Sequence, residues 1–178
     1  MKKPMSLRKY LVENIAFLRD NPDKLKIHIV EGGYRSRFTK GYSFESICPV
    51  RFVIEDFTDE PDIIAHLLFQ WIRINQSELM TNIEKEKPTF KFEAEIIDND
   101  KTDVLFELEL TERVIIKEND QGTFFFDYPD EPQYTAVQPS TLCELFDDHG
   151  NLVATWQSPE SKNTVALEMP LPGKRNGT

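Results

Sequence analysis

Four glutamates, Glu93, Glu95, Glu107 and Glu109, stand in the stretch Phe90–Lys117, which reads FKFEAEIIDNDKTDVLFELELTERVIIK. Paired carboxylates are what a glycosidase works with: one acid raised in pKa by an apolar pocket, and a second carboxylate at a set distance. The spacing argues otherwise. Phe90, Phe92, Ala94 and Ile96 share one parity and Lys91, Glu93 and Glu95 the other; Val104, Phe106, Leu108 and Leu110 then alternate with Glu107 and Glu109. A period of two puts the apolar set on one face of a sheet and the carboxylates on the solvated other. Like charges across a ladder repel. The pattern therefore asks for a basic neighbour: an adjacent strand with Arg51 or Lys91, the simpler answer, or a cationic surface on another subunit. Glu112 breaks the alternation, falling on the apolar parity between Leu110 and Val114. A β-bulge would accommodate it, as would a strand running past the core and presenting Val114–Lys117 to a partner. A sheet-edge position where Glu112 reaches water is the plainer option.

Other chemistry is thinner. Asp98-Asn99-Asp100-Lys101-Thr102-Asp103 has the oxygen density of a calcium loop. It lacks the glycine and distal glutamate at the required spacing and reads as a hairpin turn. His28, His66 and His149 fall on a strand, a helix and a turn with no i, i+4 pairing, so no zinc site is expected; His66 reads as a helix residue flanking the core. Gly32-Gly33 has no helix after it and reads as a turn, not a phosphate loop. Ser43 and Ser46 lack the surroundings of a nucleophile elbow. Nothing supports an enzyme, a cofactor or a metal.

The totals fit that reading. The 178 residues are 39% hydrophobic and 29% charged, which suits a globular fold, with a formal net charge of −10 and a pI near 4.8. Duplex binding draws its affinity from Lys and Arg on phosphates, so specific nucleic-acid binding is not expected, although DNA could slide past such a surface. Cys48 and Cys143 lie in separate segments without a CxxC; one disulfide between them is the alternative to the plainer reading of two reduced, partly buried thiols. The basic start MKKPMSLRKY lacks a continuous apolar segment, and no run is long enough to span a bilayer. Membrane association is not expected, and a reducing cytoplasm is.

The elements needed to position these residues follow from periodicity. Ser6 is placed to cap a helix toward Asp20 with Leu7, Tyr10, Leu11, Ile15 and Leu18 inward. Leu25–Glu31 alternates as a half-buried strand, and Gly32-Gly33 supplies a turn with positive φ. Tyr34–Lys40 is a weak cationic strand, expected to be a mobile or partner-ordered arm. Ser43–Phe57 is a long strand in which Pro49 marks an edge or a bulge. Asp59 and Pro61 open a helix with Ile63, Ile64, Leu67, Leu68, Trp71 and Ile74 inward. After the long hairpin come an aromatic strand, Phe124–Tyr128, a proline-containing segment, and a small hairpin turning at Asp147–Asn151. Trp71 reads as core, Trp156 as a contact residue, and PLPGKRNGT as a frayed end. The expected fold is α+β: a mainly antiparallel sheet with two helices on one face over residues 1–120, and a C-terminal extension with a β-hairpin over 121–178.

Three long segments, NPDKLKIHIVEGG, LLFQWIRINQSELM and FKFEAEIIDNDKTDVLFELELTERVIIKE, resemble in order and spacing the tail completion protein R family of contractile-tailed temperate phages, from about Leu7 to Glu118. The resemblance implies a virion assembly protein that finishes the tail and prepares it for head joining. It places the chain in the virion tail, and in the host cytoplasm during assembly. The element order is similar to that of tail terminators, which implies a ring, hexameric by analogy, that meets the tail tube, the sheath and the head–tail connector. The family brings no catalytic or ligand residue to map. A ring needs a heterologous interface that closes. The arm bearing Arg35, Arg37 and Lys40 could dock on a neighbour's face bearing Glu93, Glu95, Glu107 and Glu109, with the strand at Glu112 as a further contact. The alternatives are a monomeric head–tail adaptor and, from another class, a carbohydrate-active tail accessory enzyme.

Overall fold

A computed structural model describes residues 1–36, 42–81, 88–98, 100–131, 140–147 and 149–158. Its elements in order are α1 (Lys3–Asn14), α2 (Ala16–Asp20), β1 (Leu25–Ile29), β2 (Gly33–Arg35), β3 (Phe44–Phe57), α3 (Pro61–Asn75), β4 (Lys91–Ile96), β5 (Thr102–Glu118), β6 (Phe124–Asp127), β7 (Leu142–Phe146) and β8 (Leu152–Gln157). Short 3-10 turns lie at Pro22–Lys24 and Ser77–Met80. Arg37, Lys40, most of the proline-containing segment and the end after Ser158 lie outside the described residues.

The two long strands make the frame. β3 and β5 pair antiparallel from Phe44↔Val114 to Ile54↔Val104, and the sheet runs β1-β3-β5-β4 with every pairing antiparallel. β2 extends the β1 side of β3, and β6 extends the β4 side of β5. Val50, Phe52, Ile54, Val104, Phe106, Leu108 and Leu110 point to one face and are almost wholly buried. Phe52 and Phe106 stack there with centroids 5.1 Å apart. The helices cover this face with Leu7, Leu11, Ile15 and Leu18 of the first helical segment and Ile64, Leu67, Leu68, Trp71 and Ile72 of α3, in one core cluster.

The mixed, mainly antiparallel α+β architecture is the one the periodicity predicts, with several local corrections. The first helix breaks at Ile15, whose extended backbone makes a β-bridge to Ala154, so two helical segments stand where one is expected. Ser6 does not cap it, because the helix begins at Lys3; the Ser6 hydroxyl accepts a hydrogen bond from Trp71 Nε1 at 3.4 Å instead. Asp59 does not cap α3 either: Glu60 holds the N-cap position, without a side-chain bond.

Pro49 lies in a central strand and at no bulge. Its carbonyl accepts Val30 N–H at 2.9 Å, so its missing donor faces the junction between β1 and β2, where no ladder bond is lost. The positive φ of the β1–β2 turn belongs to Glu31, at 53°. Gly32 serves close approach, since a Cβ there would lie 3.2 Å from the Ile47 carbonyl oxygen. The irregularity in β3 comes later, between Ile54 and Phe57, where Asp56 has φ 54°. The C-terminal hairpin packs on the helices: Ala154 and Trp156 join the core, and Trp156 meets the His66 ring edge-on at 5.2 Å. Trp156 is therefore a core residue, and His66 flanks the core as its spacing predicts. Cys48 is buried, Cys143 half-buried, and both are free thiols.

Candidate assembly surface

The sheet face away from the helices carries the charges, and its register decides which of them meet. Glu107 lies opposite Arg51 on one side and Lys91 on the other. Arg51 Nε donates to Glu107 Oε1 at 2.7 Å. Glu93 stands opposite Leu105, Glu95 opposite Asp103, and Glu109 opposite Pro49. None of the four glutamates faces another. The repulsion that their count suggests is thus largely removed by register, and a basic neighbour of the same chain answers it at Glu107. Among the described residues only Glu95 and Asp103 form a like-charged cross-strand pair.

The β1 side of the same face is basic but paired. Lys26 bonds Glu55 at 2.5 Å, Lys24 bonds Asp56, and Arg35 bonds Glu45 through Nε at 3.0 Å. The Lys24 ammonium, hydrogen-bonded to Asp56, holds that carboxyl below its ordinary value, and Asp56 in turn raises Lys24. Burial, and then the charge of Asp147, holds the Asp59 carboxyl above its ordinary value. Asp147 is held low by the Asn151 side chain and backbone that bond it within the hairpin turn.

A cleft of about 390 Å³ opens beside Arg51, Lys91, Glu107, Leu79 and Phe90. Its described lining includes Glu31, Glu107 and Glu109 but no histidine, cysteine or serine. Among the described residues no group of His, Cys, Asp and Glu is placed to hold a metal. No helix of the described residues is long and apolar enough to cross a membrane.

Glu112 takes none of the three expected forms. The β3–β5 register passes through Ser46↔Glu112 without a bulge, Val114 beyond it is buried, and Glu112 itself is only 5% exposed. Its carboxylate accepts the backbone N–H groups of Lys2 and Lys3 at 2.6 and 2.8 Å. Those are orphan donors at the start of α1. The network continues through Lys3 Nζ to Gln76 Oε1 at 2.7 Å and to Glu131 Oε1 at 2.6 Å. Gln76, 1% exposed, accepts the Thr111 N–H at 3.2 Å and donates from Nε2 to Thr111 Oγ1 at 2.8 Å. Its amide thereby serves β5 in the interval between β4 and β6, which has no partner strand on that side among the described residues. Glu112 could be singled out from the sequence by its parity. Gln76 carried no signal there.

What periodicity did not anticipate is the bareness of β4. Phe92 and Ile96 have the apolar parity, yet they are 60% and 79% exposed, and neighbouring Ile97 is 52% exposed. The helices stop short of this column. β6 on the same side of the sheet is also bare, with Phe124, Phe125 and Phe126 at 53%, 51% and 66%. Exposed apolar patches of this kind mark contact surfaces, and an unpaired strand edge is a template for another strand.

Comparison with known proteins agrees with the expected family. The family model described as P2 phage tail completion protein R (GpR) matches residues 1–132. Tail completion protein R of Escherichia phage P2 is 31% identical over 156 residues, 88% of this chain and 99% of that protein. An alignment of that length cannot end at Glu118, so the similarity continues into the residues after it. No solved structure matches. With a family model covering most of its residues and a relative aligned along nearly its whole length, the chain belongs to the P2 phage tail completion protein R family.

Proposed function

We propose that this protein is a structural component of a phage tail that completes the tail and makes it competent to join a head, acting as a ring, hexameric by analogy with tail terminators, at the end of the tube. The observation that carries the reading is family membership across residues 1–132, with a relative called tail completion protein R. The bare β4 and β6 columns support an assembling protein, because a chain that worked alone would gain by covering them. Residues 1–120 form the terminator-like unit, and 121–178 the extension whose hairpin seals the helices.

In this reading the partners are further copies of the chain, the tail tube, the sheath and the head–tail connector. The basic arm that begins at Arg35, with Arg37 and Lys40 beyond the described residues, and the face bearing Glu93, Glu95, Glu107 and Glu109 supply assembly contacts. Arg35 would have to share or exchange Glu45 to dock on a neighbour. Glu112 contributes indirectly, by fixing α1 against β5. A net charge of −10 suits a channel that DNA crosses without sticking.

Electron microscopy of tails assembled without the protein tests the function. Tails of abnormal length that fail to join heads are expected; normal tails that still join heads would overturn it. Mass measurement over a concentration range, with and without tail tubes, tests the ring: a chain that stays monomeric on tubes would instead be an adaptor.

A further inference from the structure

The register places the two outer strands of the sheet at one level. β1 lies opposite Val50–Ile54, that segment of β3 lies opposite Val104–Leu108, and β4 lies opposite Thr102–Glu107. Lys26, Val53, Leu105 and Glu93 consequently form a single row across four strands, with a cation at one end and a carboxylate at the other. The adjoining row on the helical face is Ile27, Phe52, Phe106 and Phe92, half-buried at its β1 end and 60% exposed at Phe92.

We propose that the β4 edge of one copy pairs antiparallel with the β1 edge of the next, continuing the sheet around a ring, with Glu93 against Lys26 and Phe92 against Ile27. The proposal rests on the ring reading above and names its interface. Several features carry it. The strands match in length, five residues against six. Because β1 and β4 run in opposite directions, rotation about an axis along the strands brings them together antiparallel. Because they share a level, that rotation needs no rise, which is the condition for closing a ring rather than growing a filament.

The side chains fit as well. β4 presents Glu93 and Glu95 on the outer face, neither with an ion-pair partner among the described residues, and the proposed register sets them against Lys26 and Lys24, while His28 faces Lys91. Lys26 is already paired with Glu55 but is 51% exposed, free to bridge a second carboxylate. On the helical face, Phe92 would gain the cover that the helices do not give it.

The test is a pair of cysteines. Glu93→Cys combined with Lys26→Cys in the full chain, oxidised as purified protein and on tail particles, should give a ladder of linked multimers. Either single variant should give no new link. Dimers from Glu93→Cys alone would show a two-fold β4–β4 contact and overturn the proposal. So would a link formed within one chain, or unlinked monomer on completed tails. Those results would leave the tail function standing, whereas normal tails in the absence of the protein would remove that function without touching a ladder seen in solution. Charge exchange gives a second reading. Glu93→Lys should abolish the multimer and Lys26→Glu in the same chain should restore it, a rescue that simple misfolding would not produce.

Discussion

The carboxylate of Glu112 and the backbone amide of Lys3, 109 residues apart in the chain, are joined by a 2.8 Å hydrogen bond that fixes the start of the first helix to the longest strand. Glu112 supplies what a local N-cap would otherwise give: an acceptor, and a negative charge at the positive end of the helix dipole. The residue at the N-cap position, Lys2, offers no side-chain bond of its own.

Removing that acceptor should be costly. Glu112→Ala is expected to lose about 2–3 kcal/mol, as for a buried hydrogen bond to a charged group, read from the denaturant midpoint. Glu112→Gln keeps an acceptor and should lose less. Equal stability of Glu112→Ala and the parent would show that the cap does not matter.

Gln76 offers a second measurement in the same network. Gln76→Leu leaves the Thr111 N–H without its acceptor and should cost about 1–3 kcal/mol. Amide exchange at Thr111 should quicken beyond what the global change in stability predicts.

Phe92 and Phe106 are cross-strand partners of the same residue type, 60% and 1% exposed. Phe106→Ala should cost about 3–5 kcal/mol, as for a buried aromatic, while Phe92→Ala should stay within about 0.5 kcal/mol in the isolated chain. Comparable losses would mean that the β4 column is covered in solution.

Tyr10 is half-buried beneath the C-terminal hairpin, and burial, with Cys143 adding to it, raises its pKa to about 12. The unfolded chain gives up this proton near pH 10 and the folded chain does not. The associated stability is therefore intact below pH 10 and is lost as pH rises from about 10 to about 12. Tyr10→Phe should flatten that alkaline loss and remove a late component of the tyrosinate absorbance.

Asp56 behaves in the opposite sense. Its hydrogen bond from Lys24 lowers its carboxyl from an ordinary value of 3.8. Its contribution is therefore present above about pH 4 and is lost as pH falls through the lower folded value. Lys24→Met should make unfolding in acid less steep. An unchanged acid limb would show that the pair is not maintained in solution.

Which face each strand residue takes was legible in the residue order, because a period of two is a local property of extended backbone. That order placed Phe92, Phe106 and Leu108 on one side and Glu93, Glu107 and Glu109 on the other, and it marked Glu112 as misplaced. It also identified the inner stripes of the helices, and the family, through segments whose order and spacing are long enough to be specific.

Which of those residues have neighbours depends on packing over long range. Whether an apolar face is covered depends on how far the helices reach across the sheet, so Phe106 is core and Phe92 is surface despite identical patterning. Whether carboxylates repel depends on register, which set Glu107 between Arg51 and Lys91 and kept the four glutamates apart. The break at Ile15, the harmless place of Pro49 and the purpose of Glu112 all arise from partners far away in sequence. No short-range periodicity encodes a hydrogen bond between residues 3 and 112.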